Sequence, residues 1–329
     1  MGELTNNPPS NQRDKTMTKR IATTLSLFSI MQRYPTKEAA VAYFEQLRWG
    51  DSPVCTKCGC DAKITPQKKH PGRYWCGDCR SYFTALTGTP MEYGKVDLRK
   101  WIYASYLLMT ARKGISALQL SKEIEVHYST AWYMLHRLRV ACGNDMEALS
   151  GEVEMDATYL GGKRKNMSNA KRKALADTGR GVVGKQPVLG VRERGGRTVA
   201  VAVDSESVKE VLKLARNNVV EGSTVYSDEA RAYDSLEANG YGHQKVNHSA
   251  KEFVNGMAST NGIESVWAVL KRGFNGVYHN WSKKHCQRYV NEFAFRLNQG
   301  NCERDTQDRL DDLFRAMVGK TITYSELTA

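Results

Sequence analysis

Apolar positions along this chain recur at two different periods, and the change between them falls near Gly143. Before it the spacing is three and four residues. Ala39, Ala40, Tyr43, Phe44 and Leu47 predict a helix over 39–49, and helical patterning runs from Leu98 to Cys142 with one interruption at Lys113-Gly114. Two shorter helices, 116–125 and 129–139, are expected on either side of Val126-His127-Tyr128. After residue 143 the period becomes two. Val153, Met155, Ala157 and Tyr159 alternate with Glu152, Glu154, Asp156 and Thr158, the pattern of a half-buried strand. Strands are expected at 187–191 and 198–203 about Gly195-Gly196, then a helix over 205–218 with a serine at its N-cap. A strand over 223–227 ends at Asp228, and 244–246 reads as a short one. A helix over 261–274 buries Ile263, Val266, Trp267 and Leu270, and a last helix spans 283–298. This is the order of a ribonuclease H-like fold of the α/β (α+β) class, a mixed sheet flanked by helices.

The helices at 116–125 and 129–139 suit a helix-turn-helix. The second would bury Trp132, Leu135 and Leu138 and turn Tyr133, His136 and Arg137 outward, a face fit either for a DNA groove or simply for solvent. A second basic feature lies between the first two strands. There Lys163, Arg164, Lys165, Lys171, Arg172, Lys173, Arg180 and Lys185 stand against a single acid, Asp177, and read as a DNA-gripping loop or as a solvated one.

Composition narrows the classes. Over 329 residues, 48 Lys and Arg against 35 Asp and Glu leave a net charge of +13, which points to a polyanion such as nucleic acid. No apolar run is long enough to span a membrane, and no cleavable signal is evident after Lys19-Arg20, so a cytoplasmic, nucleoid-associated protein is expected.

Five of the eight cysteines fall within 25 residues. Four form two C-x2-C knuckles, Cys55-Thr56-Lys57-Cys58 and Cys76-Gly77-Asp78-Cys79, separated by 17 residues. Two such knuckles complete the tetrahedron that zinc prefers, with Tyr74, Trp75, Tyr82 and Phe83 available as a small core. Two disulfides are the competing reading, disfavoured by a reducing compartment. Four thiolates leave no open coordination position, so one structural zinc is expected, and Cys60, Cys142, Cys286 and Cys302 receive no role.

Three acids occupy positions that the predicted fold draws together: Asp156 within the first strand, Asp228 at the end of the fourth, and Glu264 in the first turn of the late helix. Carboxylates so placed suit two divalent ions, magnesium or manganese, about 4 Å apart. On the helix Glu264 shares a stripe with Ala268 and Lys271, opposite Ile263 and Trp267, and Lys271 and Arg272 are candidate phosphate contacts. The alternative is a set of ordinary surface acids.

Three blocks carry a family resemblance. Asp156-Ala157-Thr158-Tyr159-Leu160-Gly161-Gly162-Lys163 resembles the first-aspartate motif of bacterial insertion-sequence transposases of the DDE type, in the ISXO-like branch with an N-terminal zinc ribbon. Tyr226-Ser227-Asp228-Glu229-Ala230-Arg231-Ala232-Tyr233 is similar to the second. Asn261-Gly262-Ile263-Glu264-Ser265-Val266-Trp267, followed by Leu270-Lys271-Arg272-Gly273 and Arg288-Tyr289-Val290-Asn291-Glu292-Phe293, resembles the third. The resemblance covers about 36–300. It implies a catalytic triad of Asp156, Asp228 and Glu264 that binds Mg2+ or Mn2+, recognition of double-stranded element ends and target DNA, and strand transfer without a covalent enzyme intermediate. Two ends held together would require an oligomer on DNA. His248 and His279 are read as structural or as helpers that position a phosphate.

The expected organisation is a flexible leader over 1–35, a zinc ribbon over 36–95, a helix-turn-helix segment over 96–148, a ribonuclease H-like catalytic domain over 149–300 and a tail over 301–329. A non-catalytic zinc-containing DNA-binding regulator, and a ribonuclease H-like nuclease without strand transfer, are the competing functions.

Overall fold

The structure, a computed structural model, describes residues 22–143, 147–162, 167–174, 184–246, 260–300 and 304–329. Its N-terminal half is helical around a small ribbon. Helix α1 (Leu27–Arg33) is capped by Ser26, and α2 (Lys37–Trp49) by Thr36, whose hydroxyl accepts the Ala39 amide. The ribbon follows as β1 (Ile64–Pro66), β2 (Arg73–Cys76) and β3 (Ser81–Thr84), antiparallel in that order. Next come α3 (Leu98–Thr110), α4 (Ala117–Glu123) and α5 (Tyr128–Ala141). Asp97 caps α3 and Ser116 caps α4, and the short turn between α4 and α5 keeps the two helices in contact.

The second half is built on a five-stranded sheet. It comprises β4 (Glu152–Leu160), a short helix α6 (Asn169–Ala174), β5 (Gln186–Glu193), β6 (Thr198–Ala202), α7 (Val208–Asn218), β7 (Thr224–Ser227) and β8 (Gly242–Lys245). The strand order is β6-β5-β4-β7-β8, with β4, β7 and β8 parallel and β5 and β6 antiparallel to their neighbours. This is the ribonuclease H-like arrangement expected from the pattern of strands. Helices α8 (Asn261–Gly273) and α9 (Lys283–Asn298) follow, and then α10 (Thr306–Arg315) and α11 (Tyr324–Thr328).

The period-two pattern of β4 separates the two faces of the sheet. Val153 and Met155 join Val211, Leu214 and Ala215 of α7 in one core. Leu160 faces the other way, into a core with Ile263, Trp267 and Leu270 of α8 and Val290 and Phe293 of α9. Glu154 and Asp156 share this second face, which fixes which helices meet the catalytic-candidate carboxylate.

Residues 22–35 and 304–329 are packed against the helical unit, unlike the loose leader and tail expected for those stretches. Ile30 is buried among the helical core residues, and Arg33 donates to Gln307 at 2.7 Å. Leu310, Leu313, Phe314 and Met317 of the C-terminal segment lie in the same core as Phe44, Trp101 and Leu108. The C-terminal segment is therefore part of the N-terminal helical unit.

The helical unit and the sheet unit meet along α5 and α9. Arg139 Nε donates to Glu292 Oε2 at 2.7 Å with both side chains almost wholly buried, and the Arg139 guanidinium lies 3.9 Å from the Tyr289 ring centroid. At Gly114, in the left-handed region at φ 94°, a Cβ would come within 2.1 Å of the Tyr278 hydroxyl, so only glycine lets the turn after α3 approach the end of α8.

Candidate active site and zinc centre

The cysteine knuckles close as their spacing predicts. The four Sγ atoms of Cys55, Cys58, Cys76 and Cys79 all lie within 4.8 Å of one another, with Cys55–Cys79 and Cys58–Cys76 both at 3.6 Å. No disulfide joins them. Zn–S bonds of ~2.3 Å set tetrahedron edges of ~3.8 Å, so the cage has the size of a zinc site. Backbone amides of Cys79 and then Asp78 hold the Cys76 thiol down to about 6, which favours the ligating thiolate. Trp49, Tyr74 and Phe83 stack edge and face beside it, so Tyr74 and Phe83 form the expected small core with Trp49 of α2 added, whereas Trp75 and Tyr82, on the opposite face of the ribbon, pair with each other at 4.7 Å outside it.

The carboxylates meet through strand register. In the parallel β4–β7 pair, Glu152 faces Thr224 and Glu154 faces Tyr226. Continued by two residues, the same register sets Asp228 beside Asp156, about one strand spacing away. Asp228 closes β7 by accepting the Ala230 amide on Oδ1 at 3.1 Å. Glu264 stands exposed on the first turn of α8, in line with exposed Ala268 and Lys271 and opposite buried Ile263 and Trp267, as the helical stripe predicts. Thr260 donates to its Oε1 at 3.2 Å.

Burial, reinforced by the negative charges of Asp228 and Glu264, raises the Asp156 carboxyl to about 6. A carboxyl pushed up by its own neighbours has lost water without gaining a cation, and a divalent ion would supply what is missing. Among the described residues only the four cysteines bring their ligand atoms within 4.8 Å of one another.

Several residues around Asp156 were not legible as functional. The Trp267 indole donates Nε1–H to Asp156 Oδ2 at 2.9 Å. It reaches there because Asp156 is paired across the ladder with Gly190, where a Cβ would come within 2.4 Å of the indole. Buried Glu154 accepts the Ile263 amide at 2.7 Å and so anchors the start of the helix that carries Glu264. Tyr159 donates to Glu206, and the Tyr159 hydroxyl is raised by burial and by the charges of Glu206, Asp228 and Asp156. Spacing gave no hint of Glu206, which lies in the loop ahead of α7.

The outward face expected on α5 is corrected. His136 is wholly buried against Trp132, His285 and Tyr289, and desolvation followed by the charge of Arg139 drives it down to about 2, so it stays neutral. Tyr133 donates to the Ile322 carbonyl at 3.0 Å, and Arg137 to the Glu92 carbonyl at 3.0 Å. Packing against α3 on one side and α9 on the other buries His136, while the half-buried Tyr133 and Arg137 are taken up by the segments around Ile322 and Glu92, and Trp132 is only half-buried. What α4 and α5 leave exposed is His127, Tyr128 and Ser129 at the start of α5, with Leu118, Gln119, Lys122 and Glu123 of α4.

Of the basic loop, Arg172 and Lys173 are exposed on α6, and Lys271 and Arg272 are exposed on α8. Lys163, Arg164 and Lys165, with Arg180, His248 and Cys302, lie outside the described residues, as does the side chain of Lys171. No helix among the described residues is long and apolar enough to cross a membrane.

Comparison with known proteins agrees with this geometry. Residues 148–298 match the model of the ISXO2-like transposase domain, and residues 35–81 that of a transposase zinc-ribbon domain. The chain is 30% identical over 275 residues to an uncharacterized protein in transposable element ISH50 of Halobacterium salinarum, covering 81% of this chain and 92% of that one. It is 31% identical over 105 residues, 31% of this chain and 81% of the other, to an uncharacterized transposase-like protein of Haemophilus influenzae. The matched domain spans the whole sheet unit with Asp156, Asp228 and Glu264, and the matched ribbon holds all four clustered cysteines: the chain belongs to the ISXO2-like family of insertion-sequence transposases.

Proposed function

We propose that this transposase binds the inverted-repeat ends of its own element and cuts and joins DNA through Asp156, Asp228 and Glu264. The observation that carries the reading is the register that brings Asp228, just past the end of β7, toward Asp156 in the middle of the parallel strand β4, with the Asp156 carboxyl raised to about 6 by burial and by the charges of Asp228 and Glu264. In the first step a water oxygen attacks the phosphorus at the element end, and the P–O3′ bond breaks to leave a free 3′-hydroxyl. In the second, that hydroxyl attacks a target phosphorus and a target P–O3′ bond breaks, so the number of phosphodiesters is unchanged in the joining step. Bound Mg2+ or Mn2+ would supply the positive charge that lowers the attacking oxygen's pKa and neutralises the leaving oxygen. Asp156 would hold ions from the middle of β4, Asp228 from the end of β7 and Glu264 from the first turn of α8, while the Trp267 donor fixes which Asp156 oxygen is free. The zinc ribbon and the exposed start of α5 would recognise the ends, with Lys271 and Arg272 on the phosphates. Holding two ends together would need an oligomer on DNA.

A labelled duplex carrying the repeats that flank the reading frame, incubated with Mg2+ or Mn2+ and a supercoiled target, tests this. Nicked and joined products with the unmodified protein, lost in Asp228→Asn, are expected. Binding without products would favour the regulator, and nicking without joining the nuclease.

A further inference from the structure

Where the two units meet, away from the ribbon, a cavity of about 430 Å³ opens between the turn after α3 and the far ends of α8 and α9. Its polar lining is entirely cationic: Arg112 and Lys113 from the helical unit, Arg272 of α8 and Arg296 of α9, set on an apolar wall of Val269 and Phe293. Arg112, Lys113 and Arg272 are exposed and make no ion pair among the described residues.

Behind Arg296, the buried cation of the lining, the charge is unbalanced. Glu292, fully buried, faces two guanidiniums, that of Arg139 at 2.7 Å and that of Arg296 at 3.4 Å. One carboxylate between two buried guanidiniums leaves a net positive charge in a region of low dielectric. The Arg296 Nε is buried without a hydrogen-bond partner, although Nη1 donates to the Ala111 carbonyl. That surplus of positive charge stands directly beside the cavity and favours an anion seated in it. Planar guanidiniums around a small pocket match the oxygens of a phosphodiester.

We propose that this cavity is a binding site for one backbone phosphate of the DNA, shared between the helical unit and the catalytic sheet unit. The inference rests on the DNA-cutting role proposed above and adds the point at which the substrate bridges the two units. Arg272 lies eight residues beyond Glu264 on one continuous helix, ~12 Å along its axis. At ~3.4 Å of rise per nucleotide, the phosphate held here is about three to four nucleotides from the scissile one. Because the Arg139–Glu292 pair and Gly114 fix how the units meet, a strand gripped here is held in register with the carboxylates.

The test measures affinity of the full-length protein for the element-end duplex across a salt series, by fluorescence anisotropy. Arg112→Gln/Arg272→Gln should weaken binding about tenfold, and the slope of log affinity against log salt should become shallower by about 0.9, the loss of one phosphate contact. Lysine at both positions should restore most of the slope. Lys209→Gln/Lys213→Gln on α7, across the sheet, removes the same charge and should change neither quantity. A duplex with a single methylphosphonate three or four linkages from the scissile bond should weaken the unmodified protein and leave the Gln variant unaffected. If the unmodified protein binds the duplex but the Gln variant keeps its affinity and slope, with a melting temperature unchanged, the phosphate site is wrong while the transposase reading stands. If the unmodified protein does not bind the duplex at all, the end-binding reading itself has failed.

Discussion

Trp267 donates its indole N–H to Asp156 Oδ2 at 2.9 Å from the helix that carries Glu264, so a single side chain ties the strand carboxylate to the helix carboxylate. The hydrogen bond favours the ionised form of Asp156, opposing burial and the neighbouring charges. Trp267→Phe keeps most of the buried surface and removes the donor. Asp156 should then titrate higher still, and the Mg2+ needed for half-maximal nicking should rise by about 10- to 100-fold, the usual loss when a residue supporting a metal ligand is changed. Gly190→Ala should act by another route. Its methyl group would enter the space of the indole, and an overpacking penalty of about 1–3 kcal/mol in stability should accompany the weaker metal response. A magnesium titration of nicking together with thermal melts checks both, and an unchanged magnesium response in Trp267→Phe would show that the bond is idle.

The same carboxylate sets a pH dependence. Asp156 lies near 3.8 when unfolded and about 6 in the folded, metal-free protein. A carboxyl raised on folding binds its proton more tightly in the native state, so the contribution of Asp156 to stability is greatest below about 4. It falls as pH rises from about 4 to 6 and stays lower above that. The loss on that basis is on the order of 3 kcal/mol. Asp156→Asn, which cannot ionise, should therefore melt higher than the unmodified protein at pH 8 without metal, no higher at pH 4, and be inactive throughout. Adding Mg2+ should raise the melting temperature of the unmodified protein alone. Melting curves at the two pH values, with and without metal, decide it.

The carboxylates were legible because strand period and helix stripe are local properties: Asp156 follows from alternation, and Glu264 from its opposition to Ile263 and Trp267. The zinc cage was legible because two knuckles specify a tetrahedron without reference to the rest of the fold. Contacts that join distant segments were not. Nothing in the spacing of Glu292 announces that it is buried with Arg139, 153 residues away. Nor does Phe314 announce that it will pack against Phe44, with ring centroids 4.6 Å apart. The face of α5 was misread for the same reason. An isolated amphipathic pattern allows one buried side, whereas this helix is clasped from two.

The ribbon has little besides metal to hold it. Its buried core is Cys55, Cys76 and Phe83, too small to order three short strands alone. Purified protein should carry about one zinc per chain, and Cys76→Ser should lose both the metal and end binding. The sheet unit has its own cores and should keep its cooperative melt. Metal analysis beside a binding assay checks this, and a zinc-free protein that still binds ends would remove the structural role.

At the joint between units, Glu292→Gln should be the most damaging single change predicted for stability. It leaves Arg139, almost wholly buried, without a countercharge, a situation that typically costs about 3–5 kcal/mol. Arg139→Met/Glu292→Leu removes that pair, keeps the volume and leaves only Arg296 without its carboxylate, so it should cost less than the single variant, which strands both guanidiniums. Urea unfolding of the three proteins gives the comparison. Equal losses in single and double variants would mean that packing, rather than charge, secures the joint.

The buried face of α5 makes a prediction opposite to the one its sequence suggests. His136 is neutral, has no hydrogen-bond partner on either ring nitrogen and is packed among aromatic rings, so His136→Phe should be tolerated or stabilising and should leave end binding intact. Tyr128, 52% exposed at the first turn of the helix, is where a recognition helix presents side chains to base edges. Tyr128→Ala together with His127→Ala should weaken binding to the element end more than to a random duplex, leaving the melting temperature nearly unchanged. Anisotropy with both duplexes separates the alternatives. Loss of end binding in a folded His136→Phe would require α5 to part from α9 on DNA.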